Sequence, residues 1–413
     1  MTSNKSFGIR HARVGVRGQG FPLDPKVNYF FLAEFGSNGI TWPGGGGGSA
    51  MIDHASVTLN HIPGARIRAG LFKVPMSEEM MQAIHVFDYV NFTAFGDQQL
   101  LERFFDNDGS GSFLASPGDR PNLAAPPGGG NKIPVQTAGG VNAPNGPVGA
   151  VRDQGIQVFD SFKTGGWETS YALMIGNGNG INRGDNNTSL DRYTYFSTEK
   201  VFAGKGPRVQ RLKLFAWSLS GERELDYDYS CGDIFTTSTC SFKTGTFDRK
   251  RSGIGATYRK GKIRAAAEIL RADGMIFAGT DGGAVVGTET NLPGKFDDAT
   301  SLTNPIAVKA SFNVQEEEKA DAYYVHFGYA FNHNLELDIR HDVMNRGTEV
   351  AANERKFTTT TLGAQWFFNL KNRLVFNYEI RSLEAPNLPS TDNANVIGDE
   401  IDNRWSVQIT SIF

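Results

Sequence analysis

The chain has 413 residues, of which 39% are apolar and 21% charged, and a formal net charge of -3. The slightly acidic balance argues against a nucleic-acid-binding protein, which is normally basic. No apolar run approaches the roughly 18 residues that a transmembrane helix needs. The abundance of 49 Gly, 30 Phe, 12 Tyr and 5 Trp is typical of short strands joined by turns, so an all-β fold is the first expectation.

Many segments of about ten residues alternate between apolar and polar side chains, which is the period of a strand with two different faces. In the last segment Trp405, Val407 and Ile409 share one face, while Arg404 and Gln408 share the other. The fifteen strands predicted from this pattern are residues 7–18, 27–36, 54–61, 66–75, 153–162, 167–177, 192–202, 209–221, 250–259, 262–272, 319–331, 335–346, 355–368, 372–383 and 403–413.

The links between these strands alternate in length. The short links are residues 62–65, 163–166, 259–262, 332–334 and 369–372. The long links are residues 37–53, 76–152, 178–191, 221–249, 275–318 and 387–402. Such asymmetry predicts a single transmembrane antiparallel β-barrel over residues 1–413, integral to a bacterial outer membrane, with short periplasmic turns and long extracellular loops. A soluble β protein is the less favoured alternative.

The count of strands is odd, whereas single-chain bacterial barrels are normally even, so about 16 strands are expected. Either a strand that precedes residues 7–18 is missing from this sequence, or one is hidden in residues 275–318. The first residues also show no apolar segment and no cleavage site of a secretory signal. Both features favour a native precursor longer than this chain.

Four segments resemble the phosphate-selective porin O and P family. They are the basic early strand at residues 8–18, the Gly-x-Phe-Lys-x-Pro strand at residues 66–75, the Gly-Asn repeat at residues 175–182 and the terminal strand at residues 402–413. The resemblance extends over nearly the whole chain, although each motif is degenerate. It implies a 16-stranded porin, commonly a homotrimer, that folds its third loop into the pore and passes anions.

Strand alternation assigns a set of basic side chains to the lumen: Arg13, Arg17, Arg66, Arg68, Lys213, Arg259, Arg264, Arg340, Arg373 and Arg381. Guanidinium groups stay charged and match the geometry of oxyanions, and charged rings select ions in pores. The alternative is that these groups simply fill a polar interior with acids such as Glu268 and Asp338. The four earliest arginines face few predicted acids, which favours an anion path there.

The link at residues 76–152 is far longer than an ordinary loop, and such links are usually functional or disordered. Its first part begins with Ser77 as a candidate N-cap and two acids in the first turn, which predicts a short helix. We expect this third loop to enter the pore with Glu78, Glu79 and Asp88 at the constriction. A lid packed on the outer rim is the alternative, and an acidic constriction would favour cations. The Gly- and Pro-rich residues 107–152 predict irregular chain.

Cys231 and Cys240 stand nine residues apart in a predicted extracellular link, which favours a disulfide. No metal site, covalent haem or other cofactor is expected, because no suitable His or Cys spacing occurs. No catalytic set is identifiable, so an enzyme is not expected. The sequence thus predicts a porin that admits small hydrophilic solutes, mainly anions such as phosphate. The alternative is a porin-like sheath around a separate multihaem cytochrome.

Overall fold

The computed structural model describes residues 8–20, 23–36, 50–101, 151–178, 180–181, 187–205, 209–231, 240–278, 285–287, 309–311, 313–315, 318–369, 371–392, 395, 398–399 and 401–412. For residues 223–231, 240–245, 277–278, 285–287, 309–311 and 313–315 only the backbone path is described. In this part of the chain no helix is long and apolar enough to cross a membrane.

Strands dominate the described chain. In chain order they are β1 (Arg13–Gln19), β2 (Val27–Glu34), β3 (Met51–Leu59), β4 (Arg66–Lys73), β5 (Arg152–Thr164), β6 (Trp167–Gly176), β7 (Asp191–Ala203), β8 (Gln210–Cys231), β9 (Cys240–Lys260), β10 (Ile263–Asp273), β11 (Ile276–Ala278), β12 (Val285–Gly287), β13 (Lys309–Ser311), β14 (Asn313–Gln315), β15 (Lys319–Ala330), β16 (Leu335–Arg346), β17 (Arg355–Phe367), β18 (Asn372–Glu384) and β19 (Arg404–Ser411). The helical elements are α1 (Glu78–Met81), a π-helical turn at Gly96–Leu100 and a 3-10 turn at Ala351–Asn353.

Fifteen long strands form one antiparallel meander. Each of β1 to β10 pairs with its neighbour in the chain, β10 pairs with β15, and the series continues to β19. This confirms the antiparallel meander of fifteen strands counted from the sequence, whereas a sixteenth long strand is not found within the described residues. Within the described residues no backbone pairing joins β1 to β19. The described part of residues 275–318 holds only the three-residue strands β11 to β14, and none of them spans the sheet.

One predicted loop is largely strand. Residues 221–249 are expected to be a long link, but β8 and β9 continue through most of them and pair with each other as far as Cys231 and Cys240. The long neighbouring strands stop earlier, since β7 reaches β8 only at Ser220 and β10 reaches β9 only at Lys250, while the short β13 pairs with β8 at Tyr229 and Ser230. Alternation is weak there because both faces carry polar residues, so the sequence gives no sign of an extended hairpin.

The outward face of the sheet is an apolar belt. On β15, for example, Tyr323, Val325, Phe327 and Tyr329 are exposed, while the residues between them are buried. Near the short turns, exposed aromatic side chains include Phe162, Phe202, Phe331, Trp366 and Phe368. Exposed apolar side chains bordered by aromatic residues are the surface that a lipid bilayer covers. The alternation predicted from the sequence therefore describes the two faces correctly.

The inward face carries the charged groups. On β16 Glu336, Asp338, Arg340 and Asp342 are each at most 5% exposed, and they alternate with outward Leu337 and Ile339. So many charges can be buried together only because acids and bases pair inside the barrel.

Candidate functional site

The third loop leaves β4 and packs against the inward face of distant strands. Its described residues from Met76 to Leu101 are mostly buried. Helix α1 opens the loop as predicted but has only four residues, because Gln82 is already extended. Ser77 occupies the N-cap position without capping the helix, which corrects the prediction: its hydroxyl donates instead to Glu268 on β10, at 2.9 Å.

The two acids of α1 each meet a cation of the barrel wall. The carboxylate of Glu78 lies 2.7 Å from the Nζ of Lys213 on β8. The carboxylate of Glu79 lies 3.0 Å from Arg340 on β16 and also accepts hydrogen bonds from the backbone and hydroxyl of Thr93. Loss of solvation on burial raises the pKa of Glu79 to about 7, although Arg340 and Thr93 oppose the shift.

The third predicted acid, Asp88, is paired in the same way. It accepts a hydrogen bond from Arg264 on β10, and that guanidinium also lies 2.8 Å from Asp338 and 3.0 Å from Glu336. Beside this cluster the hydroxyl of Tyr89 lies 2.6 Å from His326 on β15. All three predicted loop acids thus face strands β8 to β16 and are neutralised there.

Backbone groups of the loop are held as well. Lys73 at the end of β4 donates to the carbonyls of Met80 and Gln82, at 2.9 and 2.7 Å. Arg373 on β18 donates to two further loop carbonyls, Ile84 and Phe87. Cationic side chains here act as donors for a chain segment with little secondary structure, which satisfies its buried carbonyl groups.

The opposite wall, formed by β1 to β5, carries the early arginines. Arg13 lies 2.6 Å from Glu34 and 3.5 Å from Asp53, and Arg66 lies 3.0 Å from Asp160. The expectation that these arginines face few acids is therefore wrong for Arg13 and Arg66, because the partners come from neighbouring strands in register.

Two early arginines differ from this pattern. Arg68 has no carboxylate partner among the described residues, and its Nε donates to the hydroxyl of Thr58, at 3.4 Å. Arg17 is exposed near the short-turn end of β1. On this wall, therefore, one guanidinium group lacks a carboxylate partner among the described residues and another is exposed.

The remaining predicted residues are placed as follows. Arg259 on β9 is half-buried, and Arg381 on β18 donates to the carbonyl of Asp402 at 3.0 Å. Cys231 and Cys240 stand directly opposite each other in the backbone register of β8 and β9. Residues 102–150, which include most of the predicted irregular part of the third loop, lie outside the described residues. In the described part no group of three or more His, Cys, Asp or Glu side chains is arranged to hold a metal ion.

Sequence reasoning missed two residues that hold the loop, Lys73 and Arg251, and it identified a third, Glu268, only as an acid that fills the lumen. Lys73 belongs to a motif that was noticed only for its family resemblance. Arg251, 1% exposed, donates to the carbonyl of Gln99 at 3.0 Å. The sequence places it at the start of a strand, directly after a predicted long link, where the alternation of side chains does not assign it to the lumen. Glu268 accepts hydrogen bonds from Trp217 and Tyr324 as well as from Ser77, and no local pattern indicates those partners.

The antiparallel meander, the apolar outer belt and the charged interior define an integral β-barrel protein of a bacterial outer membrane. No protein-family model and no curated protein matches the chain. Similar solved structures include OmpF of Salmonella typhi in complex with daunomycin, with 12% identity, a TM-score of 0.48 and coverage of 100% of this chain and 93% of that chain. OmpT, an outer membrane protein of Vibrio cholerae, has 10% identity, a TM-score of 0.45 and coverage of 91% and 80%. An anion-selective porin from Comamonas acidovorans has 13% identity, a TM-score of 0.43 and coverage of 92% and 81%.

Proposed function

We propose that the chain is a passive diffusion channel that prefers small hydrophilic anions, and that it acts without catalysis. The observation that carries the proposal is the division of charge across the lumen. The loop acids are neutralised by cations on β8 to β16, whereas Arg68 on the wall of β1 to β5 has no carboxylate partner among the described residues. A solute that passes between loop and wall would therefore meet a positive surface.

The exposed side of the loop also supports a preference for anions over cations. Met81 is 39% exposed and His85 is also exposed, so the loop offers neutral groups where its acids are turned away. Partial loss of solvation of the ring, together with the charges of Arg373, Lys73 and Arg13, lowers the pKa of His85. Its surroundings are thus cationic, and the acidic constriction that would favour cations is not supported.

The alternative of a sheath for a multihaem cytochrome needs a lumen free of its own loop. Residues 76–101 pack instead on inward side chains from β8 to β19, including Lys213, Arg340 and Ser406. A loop held across the interior favours a channel for small solutes. We therefore propose that Glu78, Glu79 and Asp88 anchor the constriction rather than line it.

The test is the reversal potential of the purified protein in a planar bilayer under a KCl gradient. We expect chloride to be more permeant than potassium. Arg68→Gln should lower the chloride-to-potassium ratio about two- to threefold, as removal of one partly screened charge at a pore wall would. The matched control is Arg271→Gln, which removes an arginine that is exposed and paired with Asp321.

A ratio below one for the wild-type protein, or equal effects of the two substitutions, would contradict the proposal. Phosphate as a particular solute, and assembly as a homotrimer, are finer proposals that rest on the sequence resemblance. Phosphate-to-chloride permeability and the mass of the detergent-solubilised assembly test them separately.

A further inference from the structure

Part of the lumen wall is aromatic, which is unusual for a surface that faces water. The rings of Phe30 and His54 have centroids 4.4 Å apart, and the rings of His54 and Phe72 have centroids 6.4 Å apart. Phe72 is fully buried, while Phe30, His54 and Phe159 on β5 are half-buried. We call Phe30, His54, Phe72 and Phe159 the ring row. It crosses four neighbouring strands, β2 to β5, on the wall that the loop acids do not face.

Two guanidinium groups lie on these rings. The Cζ of Arg68 is 4.5 Å from the ring centroid of Phe159 and 5.4 Å from that of Phe72. The Cζ of Arg66 is 4.7 Å from the ring centroid of Phe159. A guanidinium that lies over a ring is held in one plane, and its N–H groups point outward along that plane, where they can bind a planar carboxylate with two parallel hydrogen bonds.

The nearby acids do not cancel this site. Asp160 is occupied by Arg66, while Glu34 and Asp53 are occupied by Arg13, and Asp53 also by Arg152 at 2.9 Å. Arg68 is the group beside the rings that has no carboxylate partner among the described residues. The wall therefore places the apolar surface of the ring row next to the guanidinium group of Arg68, which has no carboxylate partner among the described residues.

We propose that this wall binds aromatic carboxylates, in which a flat ring of about benzoate size carries one carboxylate. The solute ring packs on the exposed part of Phe30 and beside the ring of Phe159, which the two guanidinium groups cover, while its carboxylate meets Arg68. A fully hydrated anion such as phosphate would interact with the charge of Arg68 but would gain no binding energy from the aromatic rings. The inference rests on the proposed anion channel and names a class of solute that it favours.

The experiment compares benzoate with acetate under bi-ionic conditions in a planar bilayer. Free diffusion favours acetate because it is smaller, so a benzoate-to-acetate permeability ratio above one is expected only if the wall interacts with the ring. Phe159→Leu should lower this ratio about threefold, the size of effect expected from one ring contact. Phe162→Leu is the control, since it lies on the same strand but faces outward with 49% exposure.

A wild-type ratio below one would overturn the inference, and so would a ratio that Phe159→Leu leaves unchanged or that both substitutions lower equally. The chloride-to-potassium ratio, measured on the same channels, shows that each variant has folded into a conducting barrel. It also separates the two proposals. If chloride preference is absent, the anion channel fails; if chloride preference persists without benzoate preference, only the aromatic-carboxylate inference fails.

Discussion

The most informative perturbation is Arg340→Met, because this side chain connects the third loop to the barrel wall. Arg340 is 2% exposed, lies 3.0 Å from Glu79 and 3.6 Å from Asp342, and donates to the carbonyl of Asn91 at 3.2 Å. Its guanidinium also lies 4.4 Å from the ring centroid of Tyr89. Met has a similar length and fits an apolar site, so the substitution removes the charge with little loss of volume.

The expected cost follows from the burial of the partners. Removal of one member of a buried ion pair costs about 3–5 kcal/mol, because the remaining charge is left without compensation. Since about 1.4 kcal/mol is a tenfold change, the equilibrium between docked and undocked loop should shift at least about a hundredfold. The barrel itself is held by strand pairing and should persist.

Single-channel recording at pH 8 measures this shift, with Arg271→Met as the control. We expect frequent openings of higher conductance in Arg340→Met, and fewer of them when Glu79→Gln is added, because the uncompensated carboxylate is then neutral. Traces indistinguishable from those of the wild-type protein would refute the role of Arg340 as the anchor of the loop.

Three further predictions follow from the same contacts. The pKa of Glu79, raised by burial from 4.5 to about 7, means that loop docking is fully favoured below pH 4.5 and weakens as the pH rises through 7. Channel noise should therefore be greater at pH 8 than at pH 5, and Glu79→Gln should reduce the difference. Gly96→Ala should raise open-channel conductance, since a Cβ at Gly96 would lie 2.7 Å from Met80 and 2.8 Å from the carboxylate of Glu79; an unchanged conductance would show that the loop adjusts. Cys231 and Cys240 face each other in register, so the unreduced protein should not react with a thiol reagent and the reduced protein should bind two equivalents; labelling before reduction would contradict a disulfide.

The faces of the strands could be read from the sequence, because each polar or apolar side chain reports its own environment. The alternation of Arg340 with Ile339, and of Arg373 with Leu374, matches the alternation of more buried and less buried side chains along β16 and β18. The same reasoning gives the fifteen strands, since short turns and apolar alternation are both local signals.

The ion-pair partners could not be read in this way. Whether Glu79 meets Arg340 or another cation depends on how the loop crosses the inward face of the sheet, and no periodicity in the sequence indicates that path. Without partners, the loop acids appeared to line the pore and the early arginines appeared unpaired. Arg13 shows the error: its partner Glu34 lies on the next strand, in a register that the turn between them fixes.

The loop's anchoring also constrains the order in which the protein can assemble. The third loop follows β4 in the chain but contacts β18 and β19. The backbone N–H of Val90 donates to the side chain of Asn377, 287 positions away, and the side chain of Asn91 donates to the hydroxyl of Ser406, 315 positions away. Such contacts must wait until the last strands have joined the sheet. An unfinished barrel would consequently have a wider interior that the loop does not yet narrow. Narrowing of the pore is therefore a late step of assembly, and a drop in conductance would mark the completed barrel.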